Sequence, residues 1–262
     1  MTEFDRLRSM LPVGEFGRPL HCFETLGSTN DFAKEQAAND APHGTLVVAD
    51  EQTAGRGRGE RRWLTSKGDG LAWSLILRPG RSGGETIGGV GCLTALAVCE
   101  ALQENGIRGE IKWPNDVLIA GRKVAGVLVE ASWEGMELVW MVVGAGVNVK
   151  PDSIPPEGAI EYPATSVETE LGHAVDRWAF LRTILRIFAE RWPHLGSNGI
   201  THAIEERLAF RGDEVELEGG GKTLRGRLQG IQPDGRLRLL TSRGALDVAA
   251  GEIRLRPITA EP

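Results

Sequence analysis

Residues 52–63 have the sequence Gln-Thr-Ala-Gly-Arg-Gly-Arg-Gly-Glu-Arg-Arg-Trp, which is polar, cationic and rich in glycine. The stretch lies between two apolar, strand-like segments at residues 45–49 and 70–77. Its glycines can adopt φ > 0 and let a ligand approach the backbone closely. Its arginines supply permanently charged, planar donors that suit phosphate oxygens. The stretch therefore predicts a phosphate-binding loop between two strands, with solvated surface or an RNA-binding Arg-Gly segment as the alternatives.

Length and composition restrict the class of protein. The 262 residues suit a core of roughly 200 residues with a small appendage. A net charge of −6 argues against general affinity for nucleic acid, because non-specific binding to DNA is chiefly phosphate neutralisation. Cys22, Cys92 and Cys99 lack the spacing of a disulfide framework or a zinc site, and we expect them to be buried thiols. No signal peptide is visible, and the apolar run at residues 138–147 is shorter than the ~20 residues of a membrane span, so we expect a cytoplasmic protein without a membrane segment.

A second motif, Lys112-Trp113-Pro114-Asn115-Asp116, follows a short apolar strand. Together with residues 28–30, 52–63, 121–130 and Gly144-Ala145-Gly146-Val147-Asn148, it stands in the order seen in biotin protein ligases, which the chain resembles over nearly its whole length. One departure is Glu60, where the family commonly has a glycine, and it affects the expected shape of the second half of the loop.

The resemblance implies an α+β fold. A class II aminoacyl-tRNA synthetase-like mixed sheet with flanking helices would form a catalytic biotin- and ATP-binding domain at residues 1–210. An SH3-like β-barrel would follow at residues 211–262. Residues 1–19, broken by Pro12, Gly14, Gly17 and Pro19, leave no room for the helix-turn-helix of the family's repressors. We therefore expect the enzyme-only form, without specific DNA binding, as a monomer or homodimer.

Periodicity and turn residues predict the elements. Strands are expected at residues 21–26, 45–49, 70–77, 110–112, 117–119, 124–130 and 137–148. Helices are expected at residues 31–39, 86–103 and 176–192, the last with Arg177, Arg182, Arg186 and Arg191 on its outer face. Short strands are expected at residues 214–218, 223–231, 236–241, 245–249 and 252–258. Within each of these strands the arginines Arg225 and Arg227, Arg236 and Arg238, and Arg254 and Arg256 are two residues apart, which predicts one cationic barrel face.

The resemblance also implies the reaction and its residues. Biotin is activated with ATP to biotinyl-AMP and then transferred to a lysine of a biotin carboxyl carrier protein. The implied catalytic residues are Lys112 and Arg58. The implied biotin-binding residues are Ser28, Thr29, Asn30, Gln52, Gly55, Arg56, Gly57, Arg58, Trp63, Lys112, Gly126, Gly144 and Gly146. The implied ATP-binding residues are Arg56, Arg58, Lys112, Asn115, Asp116 and Asn148, and Asp116 is the candidate ligand for Mg²⁺.

Simpler interpretations stay open for several of these residues. Ser28, Thr29 and Asn30 fit an ordinary helix cap, and a lone lysine such as Lys112 is most often a surface residue. Asp116 could merely stabilise a turn, and the strand glycines could mark bulges. At the level of the whole protein, a lipoate–protein ligase and an RNA-binding protein are the alternatives. The acidic net charge and the lack of aromatic residues interleaved with the arginines weaken the RNA-binding interpretation.

Overall fold

The computed structural model describes residues 2–59, 61–78, 86–154, 162–219, 221–249 and 254–258. The α-helices in these ranges are α1 (Glu3–Met10), α2 (Thr29–Ala38), α3 (Ile87–Glu104), α4 (Val167–Leu171), α5 (Arg177–Arg191) and α6 (Asn198–Glu205). The strands are β1 (Leu20–Leu26), β2 (Leu46–Gln52), β3 (Gly70–Leu77), β4 (Glu110–Lys112), β5 (Asp116–Ile119), β6 (Arg122–Glu134), β7 (Glu137–Asn148), β8 (Glu214–Gly219), β9 (Lys222–Ile231), β10 (Leu237–Thr241), β11 (Gly244–Val248) and β12 (Arg254–Pro257).

The first seven strands form one sheet in the order β1-β2-β3-β7-β6-β5-β4. Strands β1 and β2 pair in parallel, and the other neighbours are antiparallel. The central strand β3 is buried along its whole length and β7 is buried from Met141 to Asn148, as their near-continuous apolar sequences predict for strands covered on both faces. The predicted mixed sheet with flanking helices is confirmed.

Helices cover both faces of this sheet. On one face, α2 packs Ala33 and Ala37 against Val47, Ile76 and Val142. On the other face, α3 lies between the sheet and α5, as its apolar residues on nearly every side predict. By length and composition α3 could cross a membrane, yet 72% of its residues are buried inside the protein. Helix α3 is therefore a helix of the protein core.

All three cysteines are free thiols, as expected. Cys92 and Cys99 are buried on α3, whereas Cys22 on β1 is only half-buried. Burial raises the pKa of the Cys92 thiol to about 12, because the thiolate would lose its hydration, and raises that of Cys99 for the same reason. Cys92 and Cys99 are packing residues rather than reactive ones.

The expected outer position of Arg177 is wrong. This residue is 7% exposed and forms ion pairs with Asp50 at the end of β2 and with Glu3 of α1. Its guanidinium also lies 4.3 Å from the centroid of the Trp178 ring. The helix α1, which the pattern of prolines and glycines did not predict, is held on α5 by this buried arginine. A buried charge is tolerated there because it is paired on both sides.

Strands β8 to β12 form a second, antiparallel sheet in the order β11-β10-β9-β8-β12, an SH3-like fold. We call it the C-terminal sheet. Four of its strands lie within a residue or so of the predicted bounds, and β12 covers the second half of the strand expected at residues 252–258. Residues 252 and 253 lie outside the described residues.

The prediction of one cationic face on this sheet is wrong, because acidic residues neutralise its arginines. The arginines do point outward, but each one whose side chain is described forms an ion pair with an acidic residue. The pairs are Arg225 with Glu216, Arg227 with Glu214, Arg236 with Asp234, Arg238 with Asp247 and Arg256 with Glu218. Strand pairing brings all of these acids except Asp234 beside their arginines, and counting along one strand could not reveal those pairs. Asp234 precedes Arg236 by two residues in the turn before β10.

Candidate active site

The glycine- and arginine-rich stretch forms a closed hairpin, which we call the Gly-Arg hairpin (residues 52–65). The backbone N–H of Gln52 donates to the carbonyl of Thr65 at 3.1 Å, and that of Trp63 donates to Gly55 at 2.9 Å. A Cβ atom on Gly55 would lie 2.3 Å from the carbonyl oxygen of Trp63, so only glycine permits this closure. Glu60, the departure from the family pattern, lies outside the described residues.

A cavity of about 80 Å³ opens between this hairpin, the start of α2 and the centre of the large sheet. Twelve predicted site residues line it: Ser28, Thr29, Asn30, Gln52, Arg56, Gly57, Arg58, Trp63, Asn115, Gly126, Gly144 and Gly146. Four predicted site residues do not: Gly55, Lys112, Asp116 and Asn148. Arg61 and Arg62, arginines of the predicted phosphate-binding loop, also line it, as do Val127 and Leu128 from the strand expected at residues 124–130. Lys123, Trp73 and Ala145 line it without having been predicted.

Uncharged polar groups gather at the inner end of the cavity. The side-chain oxygen of Gln52 accepts from the backbone N–H of Thr29 at 2.8 Å and from its hydroxyl at 3.1 Å. The hydroxyl of Ser74 lies 2.8 Å from that of Thr29 and 2.6 Å from Oδ1 of Asn30. Ser74 was not predicted, because its place in an apolar strand resembles an ordinary core position. The cluster can match a neutral ligand group that carries both donors and acceptors.

Ser28 has a structural role as well. It is the N-cap of α2, and its hydroxyl accepts from the backbone N–H of Asp31 at 3.4 Å. The capping interpretation of residues 28–30 is therefore confirmed for Ser28. The same cap points Thr29 and Asn30 toward the cavity, so capping and ligand contact are compatible.

Glu130 anchors the charged side of the cavity. Its carboxylate accepts from Lys34 at 2.9 Å, from Asn30 at 3.1 Å and from Arg56. Burial by itself would raise the pKa of Glu130, but hydrogen bonds from Lys34, Asn30 and Arg56 outweigh it and lower that pKa. Burial would likewise lower the pKa of Lys34, and its hydrogen bonds to Glu130 and Asp31 raise it instead. Arg56 is thus held by Glu130, and also by Asp31 at 3.3 Å.

Two further cations are positioned by residues of the 112–116 turn, which joins β4 to β5. The guanidinium of Arg58 donates to Oδ1 of Asn115 at 3.0 Å, and Asn115 is itself fixed by donating to the carbonyl of Val127 at 2.9 Å. The ammonium of Lys123 lies 2.6 Å from Oδ1 of Asp116. It is also 5.6 Å from the centroid of the Trp63 ring, at the wall of the cavity.

Lys112 occupies a different place. Its ammonium lies 3.6 Å above the ring of Tyr162, and the side chain is half-buried outside the cavity lining. Desolvation lowers the pKa of Lys112, opposed by the charge of Asp116 and reinforced by those of Lys123, Arg256 and Arg61. Lys112 and Lys123 therefore both lie near Asp116, and of these two lysines Lys123 is the one that lines the cavity.

The indole of Trp63 fills much of the slot. A Cβ atom on Gly146 would lie 2.2 Å from this ring, and one on Gly126 would lie 3.1 Å from it. The two glycines therefore form a floor on which a flat group can lie directly against backbone. Ligand pockets usually enclose roughly 300–1,000 Å³, so Trp63 must shift if the slot is to admit a ligand of that size.

Asn148 and Asp116 bear on nucleotide and metal binding. Asn148 is 5% exposed and donates to the carbonyl of Thr165 at 3.1 Å, so it supports the wall behind the cavity. Among the described residues there is no cluster of three or more side chains able to hold a metal. Oδ1 of Asp116 is buried 2.6 Å from the ammonium of Lys123, so this carboxylate would contact Mg²⁺ only by opening that ion pair. Mg²⁺ that arrives with a nucleotide takes one or two carboxylates plus phosphates and water, and Asp116 would supply one such carboxylate.

The large mixed sheet carries a cavity with a glycine floor, a polar inner end and arginines at its mouth, and an SH3-like sheet follows it in the chain. This combination defines the class of protein. The chain belongs to the biotin/lipoate A/B protein ligase family, whose model matches residues 22–148. A second model, the biotin protein ligase C terminal domain, matches residues 211–256 and places the chain among the biotin protein ligases of that family.

Individual relatives agree with this assignment. The chain is 36% identical over 255 residues to the bifunctional ligase/repressor BirA of Bacillus subtilis, covering 95% of this chain and 78% of the relative. It is 38% identical over 216 residues to the biotin–[acetyl-CoA-carboxylase] ligase of Paracoccus denitrificans, covering 79% of this chain and 88% of the relative. The structure of the Aquifex aeolicus biotin protein ligase in complex with biotin and ATP superposes with a TM-score of 0.79 at 33% identity, covering 92% and 99%.

Proposed function

We propose that this protein activates biotin with ATP and transfers it to a lysine of a biotin carboxyl carrier protein. One observation carries the proposal: a single slot joins a neutral hydrogen-bonding end, built on Thr29, Asn30 and Gln52, to a cationic end with Arg58 and Lys123. Biotin has the same polarity, with a neutral ureido ring at one end and a carboxylate at the other.

The first step makes an acyl adenylate. An oxygen of the biotin carboxylate attacks the α-phosphorus of ATP, the bond to the bridging oxygen of the β-phosphate breaks, and pyrophosphate leaves. Negative charge builds up on the α-phosphate oxygens in the transition state. Preorganised cations next to those oxygens contribute ~10²–10³ in rate per donor. In this proposal Arg58 and Lys123 are those cations, and Asn115 and Asp116 hold them in place.

The roles of the other residues follow from their positions. Ser28, Thr29, Asn30, Gln52, Gly144 and Gly146 would hold the ring of biotin, and Gly55, Gly57 and Gly126 would shape the slot. Trp63 would cover the bound chain after moving from the glycine floor. Arg56 would reach phosphate only after giving up Glu130 or Asp31, so its role includes a switch of partner.

ATP contacts are proposed for Arg56, Arg58, Lys112, Asn115 and Asn148. Lys112 lies outside the lining of the cavity, with its ammonium over Tyr162, so it would reach the reacting carboxylate and the α-phosphate only after leaving that ring. Mg²⁺, held by the phosphates and by Asp116, would neutralise charge on the leaving pyrophosphate. The second step is attack of the carrier's lysine amine on the acyl carbon, with loss of AMP and of one proton from the amine.

The wider organisation is part of the proposal. Residues 1–210 would form the catalytic domain and residues 211–262 the C-terminal domain. Three free cysteines fit a reducing cytoplasm. The net charge of −6 fits the absence of specific DNA binding, and the protein would act as a monomer or homodimer.

The proposal is tested by measuring pyrophosphate release from ATP on adding biotin or lipoate. We expect release with biotin, no release without an acid substrate, and much slower release with lipoate. A following incubation with an unmodified carrier protein should add the mass of one biotinyl group to it. Faster turnover with lipoate would move the assignment to the lipoate ligases, and no release with either acid would rule out both.

A further inference from the structure

The turn between β9 and β10 (residues 232–236), which we call the docking turn, makes a close contact with the large sheet. The carbonyl of Gly235 accepts from the indole N–H of Trp113 at 2.9 Å in a fully buried hydrogen bond. The carbonyl of Asp234 accepts from the hydroxyl of Thr86 at 2.7 Å. Thr86 is also the N-cap of α3, so the docking turn touches both α3 and the 112–116 turn.

In this contact the backbone of the docking turn packs directly against the backbone of α3, so there is no room for a side chain between them. A Cβ atom on Gly235 would lie 2.2 Å from the carbonyl carbon of Gly88, and Gly235 has a φ of +83° that favours glycine. A Cβ atom on Gly88 would lie 2.9 Å from the carbonyl oxygen of Asp234. Contacts under 3.0 Å with backbone cannot be relieved by turning a side chain, so both positions need glycine for this docking.

A second contact holds Ile111, the residue that precedes Lys112. The backbone N–H of Ile111 in β4 donates to the carbonyl of Arg207 at 2.7 Å, and that of Ala209 donates back to Ile111 at 2.9 Å. This connecting segment is tied to the C-terminal sheet through Glu205, whose carboxylate accepts from the backbone N–H of Ile231 at 3.1 Å. Ile111 and Trp113, the neighbours of Lys112, are therefore both held by chain that leads into or belongs to the C-terminal sheet.

We propose that the C-terminal sheet positions the 112–116 turn through Trp113 and Ile111, and thereby sets the places of Arg58 and Lys123 at the cationic end of the cavity. The link is direct, because Asn115 holds Arg58 and Asp116 pairs with Lys123. Trp113 and the docking turn are positioning elements, since neither lines the cavity. The inference rests on the proposed function, in which these two cations serve adenylate formation.

The neutral end of the cavity is built without the docking turn. Thr29, Asn30, Gln52 and Ser74 hold one another through contacts within α2, β2 and β3. Loss of the docking contact should therefore lower the rate of adenylation much more than it weakens the binding of biotin, because the neutral end that holds the ureido ring is untouched. A purely structural role of the C-terminal sheet would instead lower thermal stability and leave the rate constants unchanged at a temperature well below unfolding.

The test compares Gly88→Ala with Gly91→Ala in the full-length protein. Both substitutions place a methyl group on α3, but at Gly91 the nearest atom is the Val129 side chain at 3.6 Å, an ordinary contact. Biotin-dependent pyrophosphate release and thermal unfolding are measured for both variants and for the wild type. We expect Gly88→Ala to lower kcat about 10-fold with KM for biotin unchanged within about twofold, because one positioning hydrogen bond is lost. Gly91→Ala should match the wild type.

Trp113→Phe is the second variant, and it decides the question if Gly88→Ala does not fold. It removes the indole N–H and part of the ring volume while keeping an aromatic ring in the buried site. Thermal unfolding reports the stability lost with the smaller ring, and kcat measured well below unfolding should fall by a similar factor. Unchanged kcat in Trp113→Phe, or equal loss in Gly88→Ala and Gly91→Ala, would overturn the inference. A wild-type protein that released no pyrophosphate would instead overturn the proposed function, so the two failures are distinct.

Discussion

A Cβ atom on Gly144 would lie 1.9 Å from Oδ1 of Asn30, so the backbone of β7 faces the amide of Asn30 without room for any side chain. The same amide is held by Ser74 at 2.6 Å and by Glu130 at 3.1 Å. The position of Asn30, at the neutral end of the cavity, therefore depends on a glycine that is 114 residues away in sequence.

Gly144→Ala should displace Asn30 and weaken biotin binding. Loss of one or two hydrogen bonds, each worth about 1 kcal/mol, predicts a rise in KM for biotin of roughly 10-fold or more, with KM for ATP little changed. Gly27→Ala is the matched control, since a Cβ atom there meets nothing within 4 Å although the residue adjoins Ser28. Steady-state pyrophosphate release measures both values, and equal KM values in the two variants would contradict the assignment of Asn30.

Lys123→Ala should reduce adenylation more than Lys112→Ala. The ammonium of Lys123 faces the cavity, whereas that of Lys112 lies over Tyr162, so removing Lys123 should lower kcat by ~10²–10³. Lys67→Ala, at an exposed residue paired with Glu24, is the control for loss of one positive charge. Single-turnover formation of biotinyl-AMP separates the first step from transfer. A larger loss of the rate of biotinyl-AMP formation in Lys112→Ala than in Lys123→Ala would show that Lys112 is the more important cation in adenylation.

Arg58→Gly should let biotinyl-AMP escape. The substitution removes a cation from the cavity and adds conformational freedom to the Gly-Arg hairpin, so the adenylate should dissociate faster and label lysines of bystander proteins. Because Asn115 holds Arg58 at 3.0 Å, Asn115→Ala should produce a weaker form of the same effect. Dissociation of preformed biotinyl-AMP is measured by stopped flow. An unchanged off-rate in Arg58→Gly would show that the hairpin does not retain the adenylate.

Glu130→Gln should change the acid side of the stability profile. The pKa of Glu130 is lowered below its ordinary value of 4.5 in the folded state. Its contribution is therefore fully present above pH 4.5 and is lost as the pH falls through the folded-state pKa. Hydrogen bonds to a partly exposed carboxylate predict a loss of roughly 1–2 kcal/mol for Glu130→Gln at pH 7, shrinking below pH 4.5.

Urea unfolding at pH 7 and at several values below pH 4.5 measures this difference. The exposed Glu137 on β7 supplies the control, and Glu137→Gln should leave stability nearly unchanged at every pH. A difference between wild type and Glu130→Gln that stays constant down to pH 3 would contradict the ionic interpretation of the Glu130 cluster.

The sequence by itself determined the elements, because their signals are local. Alternation and buried apolar runs predicted the seven strands of the large sheet, and turn residues at 219–221 and 233–235 predicted most of the C-terminal sheet. Five ordered motifs, at residues 28–30, 52–63, 112–116, 121–130 and 144–148, contain most of the residues that line the cavity. Short elements such as α1 and α6 were missed, since eight residues give too weak a period to distinguish from loop.

Only the tertiary structure decided which lysine faces the cavity. A register shift between Val117 and Leu118 in the pairing of β5 with β6 changes which residues share a face, so counting from Lys112 to Lys123 could not settle it. The partners of Glu130 and the contact of Trp113 with Gly235 join residues about a hundred positions apart. Such pairs arise from how strands and helices pack in three dimensions, and neither periodicity nor spacing along one segment contains that information.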